Sequence, residues 1–326
     1  MRAVLPAAAA GDGAPRVGDW PDPVAGAGEL LIAVAGAGIN WADLLQLRGL
    51  YPPPAGASPI PGLECSGTVA AVGAGVEGWH RGDRVMALLA GGGHAELVAA
   101  PAGQVMPLPA NLSFDEGGGV PEAGVTAWTN LVAEGGLQPG EVVLVTGASG
   151  GMGTMIVQVA RALGARPIAA GRDPEALAEL RALGAEAAVL LDDELPERVR
   201  RATGGAGADL ALDLVGGDHF PLALAALRAG GRLVLVGLLA GARAEVDLGL
   251  VLRRRLRIVG SVLRPRRPAE KSNLVEGFAT FALPRLADGT LRPLLRQTFP
   301  LERAAEAYAA LARGGVRGKI VLSISA

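Results

Sequence analysis

The stretch Val142-Val143-Leu144-Val145-Thr146-Gly147-Ala148-Ser149-Gly150-Gly151-Met152-Gly153 reads as a buried apolar strand that turns on glycine into a helix. Gly147 allows the tight turn, Gly150 lets the backbone approach a pyrophosphate, and Gly153 permits close contact between helix and sheet. The free N–H groups of the helix start, at Ser149, Gly150, Gly151 and Met152, attract the anion. The spacing is G-x-x-G-x-x-G, and its place between a strand and a helix is what gives it weight over a plain tight turn. Gly147-Ala148-Ser149-Gly150-Gly151 also matches G-x-S-x-G, the nucleophile elbow of serine hydrolases. A hydrolase needs a later acid and then a late histidine. Only His219 follows Ser149, near the start of a helix, and Asp192, Asp209 or Asp213 qualify as the acid by position alone.

Outward from this turn, strand and helix alternate. The pattern predicts strands at Glu141 to Val145, Arg166 to Ala170, Ala187 to Leu191, Asp209 to Leu214, Arg232 to Val236 and around Leu256 to Val259. Helices are predicted from about Met152 to Leu163, Pro174 to Leu183 and Phe220 to Leu227, with Gly164 and Gly184 closing the first two and Asp173 capping the second. Such alternation implies right-handed crossovers and a parallel sheet covered on both faces, an α/β doubly wound (Rossmann) domain. Residues 1 to about 122 differ: they hold 13 of the 23 prolines, and their apolar runs (Leu30 to Val34, Gly67 to Val72, Arg84 to Leu89, Ala95 to Ala99) are short and bounded by turn residues. After residue 265 come helices at Lys271 to Ala287 and Leu301 to Arg313 and a strand at Lys319 to Ser323. The expected organisation is a β-rich substrate domain, 1–122 plus 266–326, with a nucleotide domain at 123–265 inserted into it and the active site in the cleft between them.

The composition narrows the classes. A chain of 326 residues, half hydrophobic and 19% charged, is long enough for about two domains with their own cores and is not a disordered one. The single cysteine, Cys65, excludes an intramolecular disulfide and a multi-cysteine metal knuckle and suits a reducing, cytoplasmic setting. Met1 to Gly11 has one arginine and an early Pro6 and lacks the apolar core of a secretory signal, so it is expected to be mature protein. Val142 to Ala160 carries no charge, but the glycines at its middle argue against a membrane span. A net charge of -2 gives no general field for nucleic acid. No internal repeat is present, and the sole low-complexity tract is Ala7 to Ala10.

The second strand bears on the cofactor. Sites for NAD place an acidic residue at its end, roughly twenty residues beyond the glycine turn, to bind the ribose hydroxyls. That place is Gly171, eighteen residues after Gly153, and Arg172 follows it. With no carboxylate to repel a 2'-phosphate and one guanidinium to grip it, the site points to NADPH over NADH. The alternative for Arg172 is a solvated loop cation, with Asp173 no more than the helix cap.

Further motifs carry a resemblance. They are Asn40-Trp41-Ala42-Asp43-Leu44-Leu45-Gln46-Leu47-Arg48-Gly49-Leu50-Tyr51-Pro52, Pro61-Gly62-Leu63-Glu64-Cys65-Ser66-Gly67, Gly82-Asp83-Arg84-Val85-Met86-Ala87-Leu88-Leu89, Gly91-Gly92-Gly93 and Pro121-Glu122-Ala123. Ser261-Val262-Leu263-Arg264 and Gly318-Lys319-Ile320-Val321-Leu322 complete them. The chain resembles, nearly end to end, the zinc-free quinone oxidoreductases of the medium-chain dehydrogenase/reductase superfamily, the zeta-crystallin-like group and its tumour-suppressor-inducible branch. The resemblance implies a GroES-like fold for the β-rich domain, reduction of quinones or conjugated enones by NADPH, and a homodimer joined through nucleotide-domain edge strands. Where zinc-dependent relatives carry Gly-His-Glu and a cysteine, this chain has Gly62-Leu63-Glu64 and Asn40, and leucine cannot coordinate a metal. No metal site is expected.

The resemblance further implies that Asn40 and Tyr51 lie beside the nicotinamide with Thr126 on the cofactor side, that Gly237 and Leu238 frame the ring, and that Lys319 is near the cofactor. Tyr51 is then a hydrogen-bond or proton donor to the acceptor oxygen. Some relatives have a second tyrosine at Leu45 and a lysine within Asp173-Pro174-Glu175; their absence removes a tyrosine pair and leaves Arg172 to hold the phosphate alone. The alternatives are an enone or enoyl-thioester reductase on the same scaffold, an NADPH-binding sensor with little turnover, and the Ser149 hydrolase. Arg253, Arg254, Arg255, Arg257, Arg264, Arg266 and Arg267 read as a solvated edge, with Arg264 alternatively a phosphate neighbour. His80 and His94 read as surface or hydrogen-bonded structural residues, and Cys65 as packing.

Overall fold

A computed structural model describes residues 1–6 and 15–324. The Ala7 to Ala10 tract and part of Met1 to Gly11 lie outside the described residues. The chain forms two compact units, residues 1–125 with 263–326, and residues 126–262.

The first unit opens with β1 (Arg2–Val4), β2 (Val17–Asp19) and β3 (Glu29–Ile39), then α1 (Trp41–Leu47), β4 (Glu64–Val72), β5 (Arg84–Leu88), β6 (Leu97–Pro101) and β7 (Val105–Pro107). Short helices α2 (Phe114–Gly117) and α3 (Pro121–Trp128) follow, and the chain crosses into the second unit within α3. β3 alternates buried and half-buried residues along most of its length, the period-2 pattern of a strand with one face on a core.

The second unit is the predicted alternating one: β8 (Val142–Thr146), α4 (Gly151–Ala162), β9 (Arg166–Gly171), α5 (Pro174–Ala182), β10 (Ala187–Leu190), α6 (Leu195–Ala202), β11 (Ala208–Asp213), α7 (His219–Ala225), β12 (Leu227–Leu235), α8 (Leu248–Arg254) and β13 (Arg257–Gly260). Its six strands are all parallel, in the order β10-β9-β8-β11-β12-β13. All five residues of β8 are buried, as a strand covered on both faces requires. Leu144 lies in that core, where truncation to alanine costs about 2–5 kcal/mol. The order reverses between β8 and β11, and at such a switch point the carboxyl ends of the strands open a crevice for a ligand.

Back in the first unit, α9 (Pro268–Ala287), β14 (Leu295–Pro300), α10 (Ala304–Arg313) and β15 (Lys319–Ser323) complete a seven-stranded sheet, β14-β15-β3-β4-β5-β7, with β6 also on β3. β15 pairs antiparallel with β3 so that Ile320 faces Ile39, and β4 pairs antiparallel with β3 on its other side. This register carries Lys319, Asn40 and Glu64 to one end of the sheet.

The structure meets some of the sequence expectations and departs from others. Arg253, Arg255 and Arg257 are exposed, as a solvated edge requires, and Arg257 begins the edge strand β13; Arg254, at the end of α8, instead donates to the carbonyls of Ala225 and Leu227. Those carbonyls are on neighbouring elements, so the local sequence shows only the charge. β14 and α8 have no counterpart among the predicted elements, β12 starts at Leu227 instead of Arg232, and α9 starts at Pro268. His94 is buried, its ring bonded to the Tyr308 hydroxyl at 2.7 Å and the Gly38 carbonyl at 3.1 Å, whereas His80 is exposed. Cys65 is buried in β4, and burial pushes its thiol up, away from reactivity.

Candidate active site

In the second unit the glycine turn is held from both sides. The Ala148 N–H donates to the Ala170 carbonyl at 3.1 Å, which fixes the turn against β9. The Thr146 hydroxyl donates to Asp213 at 2.6 Å, and Asp213 also accepts from the Val215 and Gly216 amides at 3.0 and 3.2 Å, so the ends of β8 and β11 are locked together. Asp213 is therefore committed to the backbone and to Thr146. The His219 Nδ1 is buried with no hydrogen-bond partner, and among the described residues no hydrogen bond joins it to Ser149.

Gly147 has φ +66°, a left-handed conformation that only glycine adopts readily. Gly153 is required for space: a Cβ there would lie 2.4 Å from the Ala148 Cα. Gly150 differs from both, since a Cβ on it would meet no atom within 4 Å. It caps α4, whose first bond runs from Thr154 N to Gly150 O at 2.9 Å, so the preceding amides have no intrahelical partner. Ser149, Gly151 and Met152 are half-buried in the same turn. β9 ends at Gly171, and Arg172 is exposed with no side-chain partner among the described residues. Asp173 accepts from the Glu175 amide at 3.0 Å and caps α5. The Thr126 hydroxyl is buried without a hydrogen-bond partner, a cost of about 1–3 kcal/mol unless a bound group supplies one. Open space before free amides, an unpaired guanidinium and an orphaned hydroxyl fit a phosphorylated dinucleotide. Gly237 is explained by packing, because a Cβ there would lie 2.5 Å from the Leu214 carbonyl oxygen; Leu238 beside it is exposed.

In the first unit a charged cluster gathers. The Asn40 backbone N–H donates to Asp43 at 2.8 Å at the start of α1, and Asp43 accepts from the Gly62 amide at 2.9 Å. The Asn40 side chain donates from Nδ2 to Glu64 Oε1 at 2.9 Å and accepts at Oδ1 from Lys319 Nζ at 2.8 Å. Lys319 also pairs with Glu64, which is fully buried, and the Glu122 backbone N–H donates to the other Glu64 oxygen at 2.9 Å. Tyr51 is half-buried; desolvation pushes its phenol above the ordinary range, Glu122 adds to this and Arg264 opposes it.

Arg264 corrects a reading from sequence. It is buried, neither a solvated edge residue nor free to serve as a phosphate neighbour: its three nitrogens donate to the Ala90 carbonyl (2.8 Å), the Tyr51 carbonyl (3.1 Å) and Gln46 Oε1 (2.6 Å). Its guanidinium carbon also lies 5.3 Å from the Tyr51 ring centroid, within cation–π range. Lys271 Nζ donates to the Arg264 carbonyl at 3.4 Å, and burial lowers the pKa of both cations.

The structure thus brings Asn40 and Lys319 together, with Tyr51 nearby across Glu122, and separately assembles the turn from Gly147 to Gly153 with Gly171 and Arg172. Sequence reasoning missed Glu64 and Glu122 as members of this buried cluster. Burial raises Glu122 to about 8, with Glu64 adding to the shift, Lys319 opposing it, Asp43 adding and Arg264 opposing. The available signal was an acid in an apolar context, Leu63-Glu64-Cys65 and Val120-Pro121-Glu122-Ala123, where a charge is costly without a purpose.

Comparison with known proteins agrees with this architecture. Residues 26–110 match the family described as the alcohol dehydrogenase GroES-like domain, and residues 151–279 match the zinc-binding dehydrogenase family. The chain is 31% identical to quinone oxidoreductase-like protein 2 of Bos taurus over 91% of its own length and 85% of that protein. It is 34% identical to a phenolphthiocerol/phthiocerol polyketide synthase of Mycobacterium tuberculosis over 90% of its length, which is 13% of that much longer chain. The crystal structures of the quinone oxidoreductase from Thermus thermophilus, described with its NADPH complex, superpose with a TM-score of 0.82 at 38% identity, covering 99% of this chain and all of that one.

Proposed function

The chain belongs to the medium-chain dehydrogenase/reductase superfamily, in its zeta-crystallin-like quinone oxidoreductase branch, and from that membership we propose that this oxidoreductase uses NADPH to reduce quinones without zinc. The observation that carries the NADPH assignment is Arg172: it stands exposed and unpaired at the end of β9, where Gly171 occupies the place of an NAD-selecting acid. Support for a metal-free mechanism comes from the donor set. Asn40 and Leu63 stand where zinc-dependent relatives place ligands, and no group of three or more potential His, Cys, Asp or Glu ligands exists among the described residues.

The amides before Thr154 and the start of α4 would hold the pyrophosphate, Arg172 the 2'-phosphate, and the Thr126 hydroxyl would gain the partner it lacks. The bound cofactor supplies a hydride from its nicotinamide ring. Tyr51 serves as a hydrogen-bond donor to the acceptor oxygen, and its raised pKa keeps it protonated for that role. Asn40 is locked by Lys319 on one side and Glu64 on the other, with Nδ2 also donating to the Gly38 carbonyl at 3.5 Å, so its side-chain amide is held in one orientation.

A second reading, reduction of an enone or enoyl thioester, is favoured by the match to a segment of a polyketide synthase. NADPH consumption measured with quinones, enones and enoyl thioesters, with a chelator present, separates the two. Quinone turnover unaffected by the chelator is expected; turnover with enoyl thioesters alone supports the second reading, and NADPH binding without oxidation of any acceptor supports a sensor. A homodimer is also proposed: among the described residues β13 pairs only with β12 at the sheet edge and exposes Ile258, a strand that a second copy can extend. Sedimentation at micromolar protein measures it.

A further inference from the structure

We propose that Arg264 is a positioning residue: it clamps the segment that carries Tyr51 and thereby fixes where the Tyr51 hydroxyl is presented. The inference rests on the reading of Tyr51 as the hydrogen-bond donor to the acceptor, and it gives a task to a buried cation that this reading leaves idle.

Every residue of the clamp belongs to the first unit. Tyr51 lies in the irregular stretch between α1 and β4 and is followed by Pro52, Pro53 and Pro54, three residues with no backbone N–H to donate. Among the described residues, a single hydrogen bond links positions 51–58 to a distant part of the chain, and it runs from Arg264 Nη1 to the Tyr51 carbonyl at 3.1 Å. The same guanidinium lies 5.3 Å from the Tyr51 ring centroid. Arg264 thus holds Tyr51 by its backbone and its ring face, while the Tyr51 hydroxyl makes no hydrogen bond among the described residues. Holding everything except the donor atom is what presenting a donor requires.

The remaining contacts close the base of the segment. Nη2 donates to Gln46 Oε1 at 2.6 Å, and Gln46 Nε2 in turn donates to the Pro59 carbonyl at 2.8 Å, so the segment is gripped before and after Tyr51. Nε donates to the Ala90 carbonyl at 2.8 Å, which ties the neighbouring loop to the same group. Arg264 is itself placed by the buried Leu263 before it, by Pro265 after it, which favours an extended backbone, and by Lys271 Nζ on its carbonyl at 3.4 Å. Among the described residues no carboxylate is ion-paired with the guanidinium; Asp43 and Glu122 act on it through charge at a distance. A buried cation with neutral partners is costly to desolvate, so stability does not account for it. Three divergent acceptors and a ring face are a geometry that the planar fork of arginine meets and the single ammonium of lysine does not.

Arg264→Lys is therefore the test, because it keeps the charge and removes the clamp. Acceptor kcat/KM should fall on the order of 10²-fold, the scale of a small misplacement, with NADPH affinity unchanged. In a Tyr51→Phe background the same substitution should cost less than about twofold, since the clamp acts through the hydroxyl. Gln46→Met removes one of the three acceptors and should give a smaller loss with the same dependence on Tyr51. Wild-type kcat/KM in Arg264→Lys, or in Gln46→Met where Arg264→Lys does not fold, overturns the proposal, as do losses that persist in full in Tyr51→Phe.

Fluorine NMR of protein labelled with 3-fluorotyrosine reads the clamp without turnover, because the chain has two tyrosines and Tyr51→Phe assigns their signals. In Arg264→Lys the Tyr51 signal should move to the position of the free amino acid while that of the buried Tyr308 stays. An unmoved Tyr51 signal overturns the clamp. Failure of wild type to reduce any quinone, enone or enoyl thioester, with the Tyr51 signal moving as expected, overturns the reductase reading and leaves the clamp standing.

Discussion

The two units hold their candidate ligand-facing groups by opposite means. In residues 126–262 the anion-binding feature is backbone: free amides ahead of α4, a glycine with open space before it, and a single exposed arginine. In the other unit it is side chain, with Asn40, Glu64, Lys319, Glu122 and Arg264 drawn from five separate segments into a desolvated cluster. Backbone amides cost the fold little when no ligand is bound, because water can reach them. Buried charges must satisfy one another, and removing one leaves another uncompensated. Removing a paired charge from the cluster should therefore destabilise the fold, whereas removing Arg172 or filling the open space at Gly150 should mainly weaken binding.

The sharpest way to break this contrast is Lys319→Met. It leaves the fully buried Glu64 with only Asn40 and an amide as donors. Loss of one partner of a buried pair costs about 3–5 kcal/mol, to be read from urea unfolding. A loss below about 1 kcal/mol would place the cluster among exposed pairs and remove the distinction between the units.

Next in size is the pH dependence of stability. Glu122 titrates at about 8 in the folded chain against an ordinary value of 4.5. The folded state thus holds a proton that the unfolded state has released, and stability falls as pH rises from about 4.5 to about 8. The effect is on the order of a few kcal/mol, at about 1.4 kcal/mol for each pKa unit. Glu122→Gln should flatten that slope in denaturation series run between these pH values; an unchanged slope would mean that Glu122 ionises normally.

The same contrast explains what could be read in advance. The parallel sheet was legible because each βαβ step repeats a local pattern, and the turn because glycine leaves a mark: Gly147 at φ +66° and Gly153 against Ala148 each demand that residue. Strand β14 was not legible, since its residues are mostly exposed and it exists only by pairing with β15. The charged cluster was hidden for a related reason. Glu64, Glu122 and Lys319 meet because β15 and β4 flank β3 in one register, and no local window contains more than one of them. Arg264 sits two residues before Arg266 in a run of arginines, and nothing in that run distinguishes the buried one.

In the second unit the larger effect falls on binding. Arg172→Ala should weaken NADPH binding by about 1.5–3 kcal/mol, the usual size for hydrogen bonds to a charged group, and spare NADH. Because Arg172 is exposed and has no partner among the described residues, the variant's melting temperature should stay at the wild-type value. Titration calorimetry with both cofactors decides it: equal losses would show that the guanidinium does not select the 2'-phosphate.

A small change in stability is expected of Gly150→Ala, which separates the two kinds of glycine within one turn. Gly150 has φ -77° and ψ 171°, a conformation alanine adopts without strain, and its Cβ would meet no atom within 4 Å. Only its helix-capping preference is affected, a cost of about 0.5–1 kcal/mol. The methyl group would nevertheless stand in the open space ahead of α4, where a pyrophosphate must approach the amides, so NADPH affinity should fall while the fold persists. Gly153→Ala, with its Cβ 2.4 Å from the Ala148 Cα, should do the reverse and destabilise the apoprotein through overpacking by about 1–3 kcal/mol. Thermal unfolding of both variants with and without NADPH compares them directly. If Gly150→Ala kept full affinity, the phosphate would not lie against this backbone, and the opposition between a backbone site and a charged one would no longer describe the molecule.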